Sequence, residues 1–386
     1  MKAAGIIAEF DPFHNGHAYL IRKARESGCT HIAVAMSGSA VQRGEPASFD
    51  KFARAKAAVA GGADLVLELP APYSCSNAEV FASAGVSALS ALGKGVTERL
   101  VFGSEITDTS LIVRAAEAAD SLADSEAVAA FLRQGDSYPL AVSKACRSVY
   151  GAGIAGVFEN PNSTLALEYC RAIKRSGSQM EPFAVERTGA AHDSAAPEGD
   201  IASASCIRRL ISEGGDVSRF TPMPADAFRD PRRLDSIFLY ALTSADRQTL
   251  EALPDSSEAI ASRVLAAAAE GHAAAAALIA ACKTKNLTLA RLRRLALHLV
   301  LGVTKQDIVP LPYVRILAFN QRGAELLSAG EHTLPVDTSL ARLERTGAAA
   351  ARVSQLERRA SALVCIAGGL PVGNEYRKSI KPETME

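Results

Sequence analysis

A chain of 386 residues, at roughly 100–200 residues per domain, is long enough for two or three domains with real hydrophobic cores. Hydrophobic residues make up 48% and charged residues 22%, which excludes an intrinsically disordered chain. The 42 basic and 42 acidic side chains cancel, so the protein as a whole has no basic field for nucleic acid, although a local basic patch remains open.

Seven cysteines are scattered along the chain without a Cys-x-x-Cys pair. This argues against a disulfide framework or a zinc ribbon and is typical of a reducing compartment. The chain reaches Glu9 and Asp11 before a secretory apolar segment is complete. The Ala-rich stretch 259–281 contains Arg263 and Glu270, so it predicts helices of a soluble protein and not a membrane span. We expect a cytoplasmic protein.

The first half of the chain alternates short apolar runs with helical patterns. Strands are predicted over Ala3–Ala8, His31–Met36, Asp64–Glu68 and Arg99–Phe102, with helices over His17–Glu26, Asp50–Ala60 and Asn77–Leu92. A helical stretch (Ser110–Tyr150), a helix (Ser163–Arg175) and a last strand (Glu181–Val185) follow. Short buried strands that alternate with helices indicate an α/β fold with a parallel sheet covered on both faces.

The pattern of apolar residues changes after about residue 220. The run Thr221-Pro222-Met223-Pro224 is a break, and Leu and Ala then recur with a period near 3.6 residues. We therefore predict a first domain over residues 1–220 and a second, mainly helical domain over residues 225–386.

The strongest functional pattern is the turn after the first strand, which reads His14-Asn15-Gly16-His17 and opens a helix. Such a turn in a parallel sheet points helix N–H groups into the crevice, where they can bind phosphate. Gly16 allows a close approach of the backbone. His14 and His17 can both face the crevice and donate hydrogen bonds to phosphate oxygens, more strongly as imidazolium. The alternative is a capped turn with two surface histidines.

This turn resembles the signature of the HxGH nucleotidyltransferase superfamily, whose Rossmann-like domain directs attack on the α-phosphate of a nucleoside triphosphate. The second signature of that superfamily lies at a later helix start, and residues 202–208 are similar to it. Ser203, Ser205 and Arg208 hold the matching positions, where they would bind the β- and γ-phosphates. Ala202 and Ala204 depart from the pattern, and a plain N-cap box is the alternative interpretation.

Further segments narrow the resemblance. They are Gly5-Ile6-Ile7-Ala8-Glu9-Phe10-Asp11-Pro12-Phe13, Met36-Ser37-Gly38, Gln42-Arg43-Gly44-Glu45-Pro46-Ala47, Gly62-Ala63-Asp64-Leu65-Val66-Leu67-Glu68-Leu69-Pro70 and Phe102-Gly103-Ser104-Glu105. Together they resemble the bacterial tRNA(Met) cytidine acetate ligase family. Asp11 stands where that family usually has Asn, and Ser39-Ala40 where it usually has Asn-Phe. These differences lie beside the turn and leave the expected reaction class unchanged.

The resemblance implies an ATP-dependent ligase that activates acetate as acetyl-adenylate and acetylates N4 of the wobble cytidine (C34) of elongator tRNA(Met), releasing AMP and pyrophosphate. The implied partners are ATP, acetate and this tRNA, with Mg²⁺ beside the triphosphate and with neither DNA nor a membrane. One rival is an adenylyltransferase acting on a small phosphate-bearing metabolite, which needs no long helical domain. Another is a non-catalytic RNA-binding protein, which loss of His14 or His17 would have favoured.

The same resemblance assigns the site residues. The catalytic residues it implies are His14, His17, Ser203 and Arg208. The nucleotide-binding residues it implies are Ile7, Ala8, Glu9, Phe10, Asp11, Pro12, Phe13, His14, Asn15, Gly16, His17, Ala18, Tyr19, Leu20, Gly103, Asn162, Arg187 and Ser205. Gly103 would leave the nucleotide room against bare backbone. Asn162 also suits a turn and N-cap, and Arg187 also suits the surface.

Three other features have alternative interpretations or are not assigned to the site. Arg43, in a polar loop after the second strand, suits acetate, phosphate or RNA backbone, or is a solvated loop charge. Asp64 and Glu68 flank a buried strand and are not taken as catalytic. Residues 151–156 match the dinucleotide fingerprint G-x-G-x-x-G, but they follow a helical pattern, so we interpret them as a loop.

A basic cluster in the second half predicts RNA binding. It consists of Lys283, Lys285, Arg291, Arg293 and Arg294, with no acidic residue between them. On a helix over Thr288–Leu301, Leu292, Leu295 and Leu299 would bury one face, with Arg291, Arg294 and His298 on another. Such a patch suits phosphate contacts that position RNA, and a merely solvated face is the alternative. Arg315 and Asn320 are weaker candidates for RNA contacts.

Overall fold

The computed structural model describes residues 1–187 and 197–384 of the chain. The strands in these residues are β1 (Ala3–Ala8), β2 (His31–Ser37), β3 (Ala40–Val41), β4 (Glu45–Pro46), β5 (Leu65–Leu69), β6 (Thr97–Ser104), β7 (Glu181–Glu186), β8 (Val314–Phe319) and β9 (Val336–Asp337). A seven-stranded sheet has the order β7-β6-β1-β2-β5-β8-β9, and β3 and β4 form a separate hairpin.

Helices cover both faces of the sheet and form most of the C-terminal half. They are α1 (Asn15–Glu26), α2 (Lys51–Ala60), α3 (Ala78–Ser90), α4 (Thr109–Leu122), α5 (Glu126–Arg133), α6 (Tyr138–Tyr150), α7 (Ala152–Ala155), α8 (Pro161–Ser176), α9 (Ala204–Ser212), α10 (Asp235–Ser244), α11 (Arg247–Ala252), α12 (Glu258–Glu270), α13 (Ala275–Ala281), α14 (Leu289–Leu301), α15 (Gln321–Ser328), α16 (Leu340–Leu343) and α17 (Ala348–Ala367). Short 3₁₀ turns add Gly156–Glu159, Ala225–Ala227, Pro231–Leu234, Lys305–Asp307, Glu344–Thr346 and Glu375–Arg377. Among the described residues, none of these helices combines the length and apolarity that a membrane crossing requires.

The central strands are parallel and buried on both faces, which confirms the predicted α/β fold. Side chains alternate along a strand, so neighbouring residues enter different cores. Ile6 of β1 lies in the core with Ile21 of α1, whereas Ile7 lies in the opposite core with Phe81 of α3 and Tyr169 of α8. Because both faces are covered, the strands are continuous apolar runs that the sequence reveals.

The sheet topology places a ligand crevice beside β1. The chain runs from β1 to β2 and β5 on one side, then returns to β6 and β7 on the other side. The connections therefore diverge at the carboxyl ends of β1 and β6. In open parallel sheets a ligand binds in the crevice at such a switch point. The turn that follows β1 opens at this point.

The C-terminal half is mainly helical, as predicted, but it also returns to the sheet. β8 pairs antiparallel with β5, with Leu65 opposite Phe319 and Val66 opposite Ala318. The sequence analysis expected a mainly helical segment here, because a short apolar run fits a strand and a buried helix equally well. The division of the chain near residues 220–225 stays a prediction.

Two smaller expectations are wrong. Arg315 and Asn320, weak candidates for RNA contacts, are buried: Arg315 pairs with Glu375 at 2.6 Å, and Asn320 accepts the N–H of Gly323 as the N-cap of α15. Residues 151–156 are not a loop, since they start the short helix α7 and the 3₁₀ turn after it. They follow a helix and not a strand, which agrees with the prediction that they do not form a dinucleotide-binding site.

A buried ion cluster ties the C-terminal helices to the sheet. Lys51, at the start of α2, lies 2.5 Å from Glu68 of β5, 2.9 Å from Glu357 of α17 and 3.1 Å from Glu375. Burial alone would lower the pKa of Lys51, but the three carboxylates raise it above its usual value. Burial raises the pKa of Glu68, against the opposite pull of Lys51. Lys51 contacts all three carboxylates, and Arg315 adds a second positive charge at Glu375.

We expect Lys51→Met to lower the free energy of unfolding by about 3–5 kcal/mol, because it leaves buried carboxylates without their partner. Lys56→Met is the matched control, since Lys56 is exposed and pairs with Glu383 at 3.3 Å. It should change stability by less than about 1 kcal/mol. Urea denaturation measures both variants, and equal losses would contradict the role given to Lys51.

Candidate functional site

Two histidines close the turn between β1 and α1. His14 is the N-cap of α1, and its Nδ1 accepts the backbone N–H of Gly16 at 3.0 Å. His17 returns the contact, because its Nδ1 accepts the backbone N–H of His14 at 3.2 Å. This reciprocal arrangement satisfies two N–H groups that a helix start leaves without partners. Capping thus engages the Nδ1 atom of each ring.

Capping also determines which ring nitrogen carries the proton. A neutral imidazole has one N–H, and because Nδ1 accepts in both rings, the proton lies on Nε2. The rings of His14 and His17 stack with centroids 3.7 Å apart and planes 28° apart. A Cβ on Gly16 would lie 2.9 Å from Cε1 of His14, so glycine is what leaves room for this ring. The turn offers two neighbouring Nε2–H donors.

Both rings are neutral in the free protein. Burial lowers the pKa of His14 to about 3, and the nearby Arg187 and Arg208 add to this effect. Loss of hydration also holds the pKa of His17 well below its usual value, and the neighbouring His14 and Arg187 act in the same direction, because each disfavours a second positive charge. The ring of Phe10 packs beside His17, with centroids 4.5 Å apart. The donors are therefore imidazoles, not the imidazolium ions that the sequence analysis considered stronger.

The second signature lies against this turn. Ser203 is the N-cap of α9, where its Oγ accepts the N–H of Cys206 at 3.1 Å and lies 3.0 Å from the Oγ of Ser205. Arg208, one turn further along α9, donates to the carbonyl of Asp11 at 2.5 Å. A residue of the second signature thus contacts the loop that leads into the first signature. The N-terminus of α9 lies close to that of α1.

Hydrogen bonds from Asn15 and Thr221 hold the two signatures together. The side-chain amide of Asn15 donates to the carbonyls of Asp200 at 2.8 Å and Arg219 at 2.9 Å, on either side of α9. Thr221 donates from its hydroxyl to the carbonyl of Phe13 at 2.6 Å. These contacts span about half of the chain, which explains why two distant sequence motifs share one site.

Asn162, Arg187 and Gly103 form one side of the crevice. Arg187 donates to Oδ1 of Asn162 at 3.2 Å, and Asn162 donates to Glu105 at 2.5 Å. A Cβ on Gly103 would lie 3.3 Å from the side chain of Arg187, so the glycine lets Arg187 lie over β6. Glu105 also accepts the N–H of Ser163 at 2.8 Å. Glu105 positions Asn162, a role that the sequence analysis did not assign.

Acidic side chains of the turn bind arginines on the other side. Asp11 is buried and accepts the N–H of Ser48 at 2.9 Å and the guanidinium of Arg43 at 2.7 Å. Burial opposes ionisation, but Arg43, Arg54 and Arg208 hold the pKa of Asp11 below its usual value. Arg54 is fully buried and donates to the carbonyl of Glu9 at 2.6 Å. In the sequence, Arg54 is one residue of a predicted helix and belongs to no motif. Its contact with the nucleotide turn was therefore not predicted.

The remaining residues of the first turn contribute differently. Ile7, Phe10 and Phe13 have their side chains in the cores, so only their backbones can line the crevice. Ala18, Tyr19 and Leu20 continue into α1 and pack partly against the core. The residues from Ile7 to Leu20 are thus all buried or half-buried, and their role in nucleotide binding stays a prediction.

Two residues of the predicted RNA patch serve the fold. The guanidinium of Arg291 donates to the carbonyl of Asp255 at 2.6 Å, and Arg294 lies 3.5 Å from the carboxylate of Asp255. Asp255 also accepts from Asn77, the N-cap of α3, at 3.0 Å. His298, expected on the exposed face with these arginines, is fully buried, and that expectation is wrong.

The other three cations are available to a partner. Lys283 and Lys285 are exposed, and so is Arg293, whose side chain is 46% accessible. Arg293 lies 3.3 Å from Glu45, in the hairpin that also carries Arg43. Within the basic cluster, Arg293 therefore connects α14 to this hairpin.

The arrangement suits a polyanion. The N-termini of α1 and α9 and the two Nε2–H groups meet near Arg187 and Arg208. Burial lowers the pKa of Arg208 to about 10, with the neighbouring Arg43 next in effect, so its charge is poorly compensated. An anion with several phosphates would relieve this excess of positive charge.

The whole length of the chain has known relatives. A family model described as HIGH Nucleotidyl Transferase matches residues 1–369. A protein of Syntrophotalea carbinolica named tRNA(Met) cytidine acetate ligase is 36% identical over 366 residues, covering 89% of this chain and 86% of that protein. This chain belongs to the tRNA(Met) cytidine acetate ligase family. A second such ligase, from Clostridium perfringens, is 33% identical and covers 85% of this chain and 86% of its own length.

Solved structures of this ligase family have the same fold. The apo crystal structure of Thermotoga maritima TmcAL matches with a TM-score of 0.87 at 28% identity and covers 95% of each chain. TmcAL bound with alpha-thio ATP matches with a TM-score of 0.84 at 27% identity, covering 98% of this chain and 97% of that one. The similarity to this ligase family therefore includes the C-terminal half.

We expect acid to destabilise this ligase-family protein through its two capping histidines. In the unfolded chain each imidazole has a pKa near 6.5 and binds a proton as the pH falls, whereas the folded protein keeps both rings neutral. Stability is therefore full above about pH 6.5 and is lost below it. Between pH 7 and pH 5 each ring contributes a loss of about 2 kcal/mol.

His14→Asn tests this contribution, since Asn also caps helices but does not titrate. Between pH 7 and pH 5 the variant should lose about 2 kcal/mol less than the unmodified protein. His332→Asn is the control, because His332 is exposed. Urea denaturation at both pH values gives the comparison, and parallel losses in all three proteins would refute the argument.

Proposed function

We propose that this protein is an ATP-dependent ligase that activates acetate as acetyl-adenylate and acetylates N4 of cytidine 34 of elongator tRNA(Met), releasing AMP and pyrophosphate. The observation that carries the proposal is the contact of Arg208 in the second signature with the carbonyl of Asp11, three residues before the His14–His17 signature. Relatives named for this activity, and a neighbour crystallised with an ATP analogue, support it.

In the first step an acetate oxygen attacks the α-phosphorus of ATP in line with the bond to the β-phosphate, which breaks as pyrophosphate leaves. The β- and γ-phosphates are bound by the Nε2–H groups of His14 and His17 together with Ser203, Ser205 and Arg208. These contacts stabilise the negative charge that develops on the departing pyrophosphate. Neutral rings suit this task, because two imidazolium ions with centroids 3.7 Å apart would repel each other. Asn162 and Arg187 hold the nucleotide from the side of β6.

In the second step N4 of the cytidine attacks the acetyl carbonyl, AMP leaves, and N4 loses a proton. An exocyclic cytosine amine is a weak nucleophile, so a mixed anhydride is a suitable acyl donor. The base has to leave its stack to reach the anhydride, which a single-stranded anticodon base does at little cost. We propose that the base enters at the carboxyl ends of β1 and β6.

Mg²⁺ enters this proposal with the substrate. Within residues 1–187 and 197–384, no three His, Cys, Asp or Glu side chains are grouped to hold a metal ion. Mg²⁺ commonly binds through substrate phosphates and water with few protein ligands. We therefore propose that ATP enters as its magnesium complex.

Lys283, Lys285 and Arg293 are the groups we propose for the RNA backbone. All three are exposed, and Arg293 lies beside Glu45 in the hairpin that also carries Arg43. Arg291 and Arg294 are proposed to act indirectly, because Asp255 holds them and so fixes the position of α14. Contacts of this kind position an RNA without reading its sequence.

We expect His14→Asn to lower acetate-dependent ATP–pyrophosphate exchange by at least about a hundredfold, because the variant keeps the cap and loses one Nε2–H donor. Binding of the tRNA should stay nearly unchanged. Exchange of [³²P]pyrophosphate into ATP, with and without acetate, measures the first step. Near-normal exchange would refute the phosphate role, and exchange that needs a phosphate-bearing metabolite in place of acetate would favour an adenylyltransferase.

We expect the double variant Lys283→Gln/Lys285→Gln to bind the tRNA more weakly, with a salt dependence (the slope of log K against log salt) reduced by about 1–2. Pyrophosphate exchange should not change. Lys94→Gln is the control, because Lys94 is exposed at the opposite, amino edge of the sheet, just before β6. Equal slopes for the double variant and the unmodified protein would exclude these lysines from the RNA interface.

A further inference from the structure

The hairpin formed by β3 and β4 connects the nucleotide turn to α14. Ala40 pairs with Pro46 and Val41 with Glu45, which places residues 42–44 at the tip. Gly44 has a φ of +84°, and a Cβ there would lie 2.3 Å from the backbone nitrogen of Arg294. The tip therefore packs backbone against backbone on α14 without intervening side chains. A movement of the hairpin or of α14 is therefore transmitted to the other element through this contact.

One side of the hairpin binds the acidic residues of the nucleotide turn. The N–H of Gln42 donates to Glu9 at 2.7 Å. Arg43 donates to Glu9 at 2.9 Å and to Asp11 at 2.7 Å. Arg208, the second-signature arginine, belongs to the same electrostatic neighbourhood, since Arg43 and Glu45 both influence its pKa. Arg43 is therefore close enough to respond to charge in the nucleotide site.

The other side depends on one shared carboxylate. Glu45 lies 3.4 Å from the Nε of Arg43 through one oxygen and 3.3 Å from Arg293 through the other. Both distances exceed the 2.7–2.9 Å or so of a close charge-assisted hydrogen bond. The side chains are partly accessible, at 25% for Arg43, 30% for Glu45 and 46% for Arg293. Glu45 is thus divided between two cations, of which Arg293 is the more exposed.

We propose that Glu45 is a positioning residue that makes the triphosphate and the RNA compete, an inference that rests on the function proposed above. A bound triphosphate attracts Arg43 and weakens its contact with Glu45. The carboxylate then pairs fully with Arg293 and withholds that arginine from an RNA phosphate. When pyrophosphate leaves, Arg43 returns to Glu45 and Arg293 is released. RNA therefore binds best after acetyl-adenylate has formed.

The coupling is reciprocal, as it must be for two ligands that bind one protein. An RNA phosphate that binds Arg293 displaces Glu45 towards Arg43. Glu45 then competes with the triphosphate for Arg43. RNA and ATP weaken each other by the same factor. Without the carboxylate, only direct repulsion between the phosphates of the two ligands remains, and this falls off over a Debye length of about 8 Å at physiological ionic strength.

Fluorescence anisotropy with labelled elongator tRNA(Met) tests the coupling. We expect α,β-methylene-ATP to raise the Kd of the unmodified protein for the tRNA about fivefold, within the usual range for coupled sites, and AMP to leave it unchanged. In Glu45→Gln, which keeps the shape and removes the charge, the analogue should raise the Kd less than twofold. Glu258→Gln is the matched control, an exposed acid at the start of α12, and it should keep the full effect.

The possible outcomes separate the proposals. An equal effect of the analogue in Glu45→Gln and in the unmodified protein would overturn the inference, since direct repulsion would then explain the coupling. No effect in the unmodified protein would overturn it as well. Failure of the unmodified protein to bind the tRNA at all would overturn the proposed function and this inference with it. Thermal melting confirms that the Gln variants are folded.

Discussion

The backbone N–H groups of Gly16 and His14 determine the character of the site, because each is held by the Nδ1 of a histidine ring. That contact places the remaining proton of each neutral imidazole on Nε2, where a ligand can reach it. It also requires glycine between the histidines, since any side chain there would collide with the ring of His14. Stacking and burial then keep both rings uncharged. A local helix cap thus becomes a pair of neutral donors.

Charge around this turn is arranged in two layers. Near the rings, burial lowers the pKa of Arg187 and Arg208, because each guanidinium has lost much of its hydration. Behind them, Glu9 and Asp11 hold Arg43 and Arg54 and so fix the loops on either side. The inner layer attracts an anion, and the outer layer keeps the walls of the crevice in place. The hairpin at Glu45 extends the outer layer to α14.

Much of the fold was predictable because its signals are local. The strands β1, β2 and β5 begin at residues 3, 31 and 65, and each is an apolar run beside a helical pattern in the sequence. The turn at His14 spans few residues, so its motif is visible without tertiary information. β8 was missed because five apolar residues and an arginine amid helical periodicity fit either state, and pairing with β5 decided the outcome. His298 was misplaced because packing against neighbouring elements, not helical phase, determined which face was covered.

The sequence by itself determined strands β1, β2, β5, β6 and β7, the capped turn and the presence of a second signature around Ser203. Only the tertiary structure decided that Arg208 contacts the carbonyl of Asp11, that Asp255 holds Arg291 and Arg294, and that Glu45 is shared by Arg43 and Arg293. Helix caps and apolar periodicity act over a few residues and are therefore written locally. Ion pairs between distant segments depend on how the chain is packed, and the sequence around each charge does not specify its partner.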